Sequence, residues 1–150
     1  MTAPTFMLQE IVVLEAAARR DLQVTFPTAT LKIDYSVVSA SFNAGTPLVL
    51  VETQYRIDIV PEPSDGVNAA EPFATLTTRL AVSIIADRNL TEEEGLDGTL
   101  DPAQGLANRS GHPYHRQLLR SWASDLGLPP FEFPIDFSLV EANLKQRADA

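Results

Sequence analysis

Apolar and polar residues alternate with period two along several stretches of this chain, the signature of strands that bury one face. Leu31, Ile33, Tyr35 and Val37 alternate with Lys32, Asp34 and Ser36. The apolar positions then change parity to Val38, Ala40 and Phe42, which predicts a bulge or a change of covered face. Asn43-Ala44-Gly45-Thr46-Pro47 supplies turn residues for a hairpin. Beyond it Val49, Val51, Tyr55, Ile57 and Ile59 share one face, against Glu52, Gln54, Arg56 and Asp58 on the other. Pro61-Glu62-Pro63-Ser64-Asp65-Gly66 breaks that strand. Residues 73–86 resume the alternation, with Leu76, Leu80, Val82 and Ile84 inside and Thr75, Thr77, Arg79 and Ser83 outside. Leu22, Val24 and Phe26, closed by Pro27, predict a short strand ahead of these three. Residues 6–18 are ambiguous. Leu8, Ile11, Val12 and residues 15–18 suit a helix by spacing and propensity, whereas residues 11–14 alone suit a strand, and a short helix or irregular lead-in is the favoured reading.

From residue 87 to 111 the chain is rich in Gly, Asp, Glu, Asn and Pro, which predicts a long loop with at most short helical turns. A helix is expected to begin at Pro113, where the missing N–H is harmless, and to end at Gly127 in the left-handed conformation. Leu118, Leu119, Trp122 and Leu126 form its apolar stripe, and Arg116, Gln117, Arg120 and Ser124 lie away from it. A second helix is marked by Ser138 and Glu141 at capping-box spacing, with Lys145 and Arg147 near its negative end. Strands followed by helices predict an α+β fold: a four-stranded antiparallel meander with two C-terminal helices packed on one face. The expected organisation is one domain over 1–150, with a lead-in at 1–13, the sheet at 14–87, a loop at 88–111 and a helical part at 112–150.

Composition narrows the function. At 150 residues the chain fits a single core. No run approaches the roughly 18 apolar residues of a membrane helix, and the N-terminus lacks the basic region of a secretory signal, so a cytoplasmic location without membrane insertion is expected. Zero cysteines leave no disulfide, thiolate ligand or cysteine nucleophile. A formal charge of −9 opposes binding to phosphate backbones and favours basic polypeptide partners.

Chemistry-bearing constellations are sparse. The two histidines, His112 and His115, have no neighbouring nucleophile motif, and no His-Glu-x-x-His pattern completes a metal site around them. Glu92-Glu93-Glu94 with Asp97 and Asp101 lacks the ligand spacing of a calcium loop. Gly95, Gly98, Gly105 and Gly111 do not follow a strand into a helix as a phosphate-cradling loop does. No catalytic residue, metal or cofactor is therefore assigned, and the chain is expected not to be an enzyme. The aromatic set Trp122, Phe131, Phe133 and Phe137 stands apart, because Pro129, Pro130 and Pro134 hold the segment around it extended. Those side chains either cap the sheet or line an apolar groove open to extended peptides.

In the C-terminal third, Pro113-Tyr114-x-Arg116, Leu128-Pro129, Pro134-x-Asp136-Phe137 and Leu144 form a set of motifs. By these the chain resembles the SecB family of export chaperones. Arg20-Asp21-Leu22 followed by Pro27, and residues 73–85, are similar more loosely. The likeness spans roughly residues 14–147 in the order of elements. It implies an ATP-independent holdase in protein export, a dimer or dimer of dimers (homotetramer) that binds unfolded or extended polypeptides in apolar grooves. By position it implies a client groove at Phe131, Phe133, Phe137, Val140 and Leu144.

The chain also departs from the family. The crossover between the first two strands is cut to Pro27-Thr28-Ala29-Thr30, without its aromatic residue. Of the acidic contact to the SecA motor only Asp21 survives, since Thr25 replaces an acid and residues 74–76 lack a Leu-x-Glu pattern. These departures argue against SecA engagement and favour a chaperone dedicated to one partner, such as an antitoxin. An alternative from a different class is an adaptor that reuses the fold to bind one folded protein.

Overall fold

The computed structural model describes residues 2–20, 29–61, 72 and 74–128. Four strands, β1 (Phe6–Arg20), β2 (Ala29–Phe42), β3 (Leu48–Pro61) and β4 (Ala74–Ala86), are followed by a 3₁₀ turn at Glu93–Gly95 and one long helix, α1 (Asp101–Asp125). The sheet is antiparallel throughout, in the order β1-β4-β3-β2. Only β2, β3 and β4 form a meander. β1 joins beside β4 instead of β2, the strand order of a Greek key, which corrects the expected four-strand meander.

The helix face of the sheet holds the core. On β3 it comprises Val49, Val51, Thr53, Tyr55, Ile57 and Ile59, and on β4 Ala74, Leu76, Thr78, Leu80, Val82, Ile84 and Ala86, all buried. This is the alternation expected from the sequence. The parity change on β2 is a bulge between Val37 and Ser39. It leaves Val38 exposed and returns Ala40 and Phe42 to the same face as Ile33, Tyr35 and Val37, opposite Val51 and Val49.

The lead-in reading of the N-terminus is corrected by β1, a 15-residue strand. Its register against β4 shifts twice, between Leu8 and Glu10 and between Val13 and Glu15. The β1 residues on the helix face are therefore Phe6, Leu8, Ile11, Val13, Ala16, Ala18 and Arg20, each opposite a buried β4 residue, with extra residues between pairs. That spacing hides the period-two signal, and Ala16-Ala17-Ala18 adds helix propensity that sheet pairing overrides. The short strand expected at Leu22 to Phe26 and the second helix expected near residues 138–147 lie outside the described residues.

The expected loop at 88–111 is likewise corrected in part, because α1 begins at Asp101, twelve positions before Pro113, and carries Pro113 in its interior. Pro102 occupies the first turn, with Asp101 at the positive end of the helix dipole. Its C-terminus is as expected: Gly127 has φ +67°, its N–H donates to the Ser124 carbonyl, and the Leu128 N–H donates to the Ala123 carbonyl. This is a Schellman motif with Leu128 buried at its close. Arg20, at the end of β1, donates to the Leu126 carbonyl at 2.6 Å and places its charge at the negative end of the helix.

Between β4 and α1, Glu94 organises the connection. Arg88 approaches its carboxylate to 2.5 Å and the Thr91 N–H donates at 2.8 Å, and these bonds, the Arg88 pairing foremost, pull its pKa down to about 2.

α1 rests on the sheet through an i, i+4 stripe of mostly small residues: Ala103, Ala107, Gly111, His115, Leu119 and Ala123, all buried. A Cβ on Gly111 would stand 3.4 Å from Leu80 Cδ1 and 3.6 Å from Thr53 Oγ1. One methyl fits there and a branched side chain does not. Gly111→Ala is expected to hold or raise stability by up to about 1 kcal/mol through helix propensity, and Gly111→Val to lower it by about 1–3 kcal/mol through overpacking. Urea unfolding of the two variants checks this contrast.

Candidate functional site

Every residue singled out for client or motor contact, Phe131, Phe133, Phe137, Val140, Leu144 and Asp21, lies outside the described residues. The described residues instead show two features that the sequence reading missed. One is a polar layer buried between α1 and the sheet. The other is an apolar free edge.

The polar layer is built from both histidines. His112 and His115 are each 1% exposed, on the sheet side of α1. Thr53 Oγ1 lies 2.8 Å from His115 Nε2, and Thr78 Oγ1 lies 2.6 Å from its Nδ1. The neutral ring donates to one hydroxyl and accepts from the other, so both nitrogens are satisfied. Tyr55 stacks on the same ring, with centroids 4.1 Å apart and planes at 11°. The Tyr55 hydroxyl lies 2.5 Å from His112 Nδ1. Tyr35 meets Tyr55 edge to face at 5.0 Å and donates its hydroxyl to Asn108 Oδ1.

Three strands thus fix one helix through uncharged groups. Burial shifts both ends of the layer toward neutrality: it raises the Tyr55 pKa, and it pushes the His115 pKa down to about 3, with His112 adding to that shift. The constellation locks the position of α1 and presents no nucleophile to solvent. Among the described residues no group of three or more His, Asp or Glu is placed to hold a metal ion. No helix among them is long and apolar enough to cross a membrane.

The apolar edge is β1. Five of its side chains are exposed despite their size: Met7 at 67%, with Leu8, Val12, Val13 and Leu14 between 42% and 47%. Its outer backbone edge has no strand partner among the described residues. Native proteins protect such edges with charge, bulges or a covering element, and β2, the other edge, follows that rule with Lys32, Asp34, Ser36, Ser39 and Ser41 exposed and its bulge at Val38. β1 has two bulges but keeps its apolar surface.

The sheet face away from α1 is apolar at one end, where Met7, Ile85 and Leu48 form a row across β1, β4 and β3. Leu50, Ala81 and Val12 extend that apolar end, and the face beyond them is polar. Arg79 spans it, bonding Glu52 at 2.7 Å and lying 3.7 Å from Glu15, and Asp58 accepts from Thr75 at 2.9 Å and pairs with Arg56 at 3.2 Å. Ala74 and Leu76, positions weighed for motor contact, face the other way and are buried under α1.

No family model matches the chain, and no curated protein matches it. Among solved structures it is similar to the Mycobacterium tuberculosis SecB-like chaperone Rv1957, in complex with a ChAD peptide from the Rv1956 HigA1 antitoxin. The likeness covers 87% of this chain and 90% of that one, with a TM-score of 0.60 and 17% sequence identity. The chain therefore has a SecB-like fold.

The threonine pairs can be tested separately from that likeness. Thr78→Val removes one partner of a buried ring nitrogen and is expected to cost about 1–3 kcal/mol. Replacing the hydroxyls and the ring together, as Thr53→Val/Thr78→Val/His115→Leu, is expected to cost less than the sum of the single changes, because no polar group is left unpaired. Equal and additive losses in chemical unfolding would show that the layer is not acting as a network.

Proposed function

We propose that the chain is an ATP-independent holdase of the cytoplasm, dedicated to one partner class such as an antitoxin, that keeps extended polypeptides from aggregating. The SecB-like fold is the observation that carries this reading, and the antitoxin peptide held by the neighbouring structure supports its dedicated form. Client binding in this reading is physical, with no chemical step. An extended chain buries alternate apolar side chains while its backbone stays hydrogen-bonded, which holds it without a reaction. Phe131, Phe133, Phe137, Val140 and Leu144 are the groove residues in this proposal. A general export role through SecA has less support, because of the acidic positions it would use only Asp21 is retained.

The reading includes self-association. The free edge of β1, with Met7, Val12, Val13 and Leu14 exposed, suits pairing with the same edge of a second copy, giving a two-fold interface and removing the unprotected strand. That step makes a dimer, and two dimers give the expected dimer of dimers. Static light scattering at micromolar concentration is expected to return one of these masses. A monomer contradicts this part of the proposal.

The holdase reading is tested by diluting chemically unfolded model proteins into buffer without nucleotide and following turbidity. Suppression of aggregation at near-stoichiometric chaperone is expected, lost when Phe131, Phe133 and Phe137 are changed to Ser. Failure to protect any unfolded protein, together with capture of one folded partner, would replace the holdase with the adaptor alternative.

A further inference from the structure

His115 reaches from α1 into a pocket whose described walls carry no charge. β3 contributes Thr53 and Tyr55, β4 contributes Thr78 with Leu76 and Leu80 on either side, and β1 places Ala16 and Ala18 opposite Thr78 and Leu76. On its own helix the nearest ionisable groups are His112, one turn back and engaged with Tyr55, and Arg116 beside it in sequence. The carboxylates of the sheet project from the opposite face, where Glu52 and Glu15 meet Arg79, and Asp58 meets Arg56 and Thr75.

We propose that His115 is an acid-sensitive latch: protonation of its ring releases α1 from β3 and β4 while the sheet stays paired, and uncovers the apolar face beneath. The hydrogen bonds themselves survive protonation, since a charged ring donates twice and both threonine hydroxyls can accept. The change is electrostatic. The imidazolium would sit in a layer without a counter-charge among the described groups, with His112 as its nearest ionisable neighbour on the helix.

The sign of the pH dependence follows. The seated ring has its pKa pushed down to about 3, chiefly by burial, below the ordinary histidine value of about 6.5 that applies once α1 is released. The seated state is favoured in full above about pH 6.5. As pH falls from there toward about 3 its advantage drops by up to tenfold per pH unit for this one proton.

Helix release can precede loss of the sheet because the two are held differently. The strands are joined by ladders running the length of 13- to 15-residue elements, independent of the histidine. The helix is held by side chains alone, with Leu119 its one large fully buried apolar residue and Ala103, Ala107, Gly111 and Ala123 burying little area each, so its seat is the weaker layer. Release bares Val51, Ile57, Leu80, Val82 and Ile84.

Trp122, the sole tryptophan, lies on α1 and reports the helix, while amide exchange on β3 and β4 reports the sheet. Between pH 6.5 and 4 the unmodified chain is expected to show a red shift of Trp122 emission and added binding of an apolar dye, with β3 and β4 amides still protected. His115→Gln is expected to abolish this transition. Joint loss of helix and sheet protection, or the same transition in both chains, overturns the latch. Should the variant fail to fold, ¹⁵N-histidine spectra of the unmodified chain decide it: protonation of His115 must coincide with the Trp122 shift, and a shift with the ring still neutral refutes the proposal. Capture of an unfolded client is expected to rise over the same pH range, an arm that rests on the holdase reading. Its failure at every pH with the Trp122 transition intact would remove the holdase and leave the latch.

Discussion

Gly111 sits so near the sheet that a single added carbon would touch Leu80, and this close approach of α1 constrains much of the molecule. A helix at that distance must present small residues along its inner stripe, which Ala103, Ala107 and Ala123 supply. It must also bring its backbone and shorter side chains within reach of polar groups on the strands. Thr53 and Thr78 then meet both nitrogens of His115, and Tyr55 fills the remaining space as a stacked ring. The network is directional where apolar packing is not, so it fixes the rotation and axial position of the helix as well as its attachment.

The same seat decides which surfaces remain for partners. α1 packs on β4, β1 and β3 and leaves β1 with an apolar outer edge. The arrangement combines two local facts: a small-residue stripe that lets one helix cover one face, and an edge strand whose apolar side chains are exposed and whose outer edge has no strand partner among the described residues. An apolar edge of this kind suits pairing with a second strand, the use proposed for it above.

Sheet faces were largely legible in the sequence, since β3 and β4 alternate without interruption and the parity change on β2 marks its bulge at Val38. β1 was not. Its two register shifts break the period that identifies a strand, and its three alanines imitate a helix. The first half of α1 was hidden for a different reason. Gly105, Asn108 and Gly111 have poor helix propensity, and it is the close approach to Leu80 and Val82 that restricts position 111 to a small residue. The i, i+4 series from Ala103 through Ala107, Gly111 and His115 was the available signal, with Pro102 marking the start. Nor does pattern reveal the polar layer, because His112 and His115 read alone look like surface residues and acquire their role only from Thr53, Tyr55 and Thr78 across the interface. The groove residues, Phe131 to Leu144, rest on the resemblance and the segment's composition.

The central claim, that this SecB-like chain binds extended polypeptide, is tested most directly by hydrogen exchange read by mass spectrometry with and without an unfolded client, at neutral pH and without nucleotide. The account predicts added protection in the segment spanning residues 131–144, with exchange in α1, β3 and β4 unchanged. No added protection anywhere, or protection confined to the polar face around Arg79 and Asp58, would contradict it.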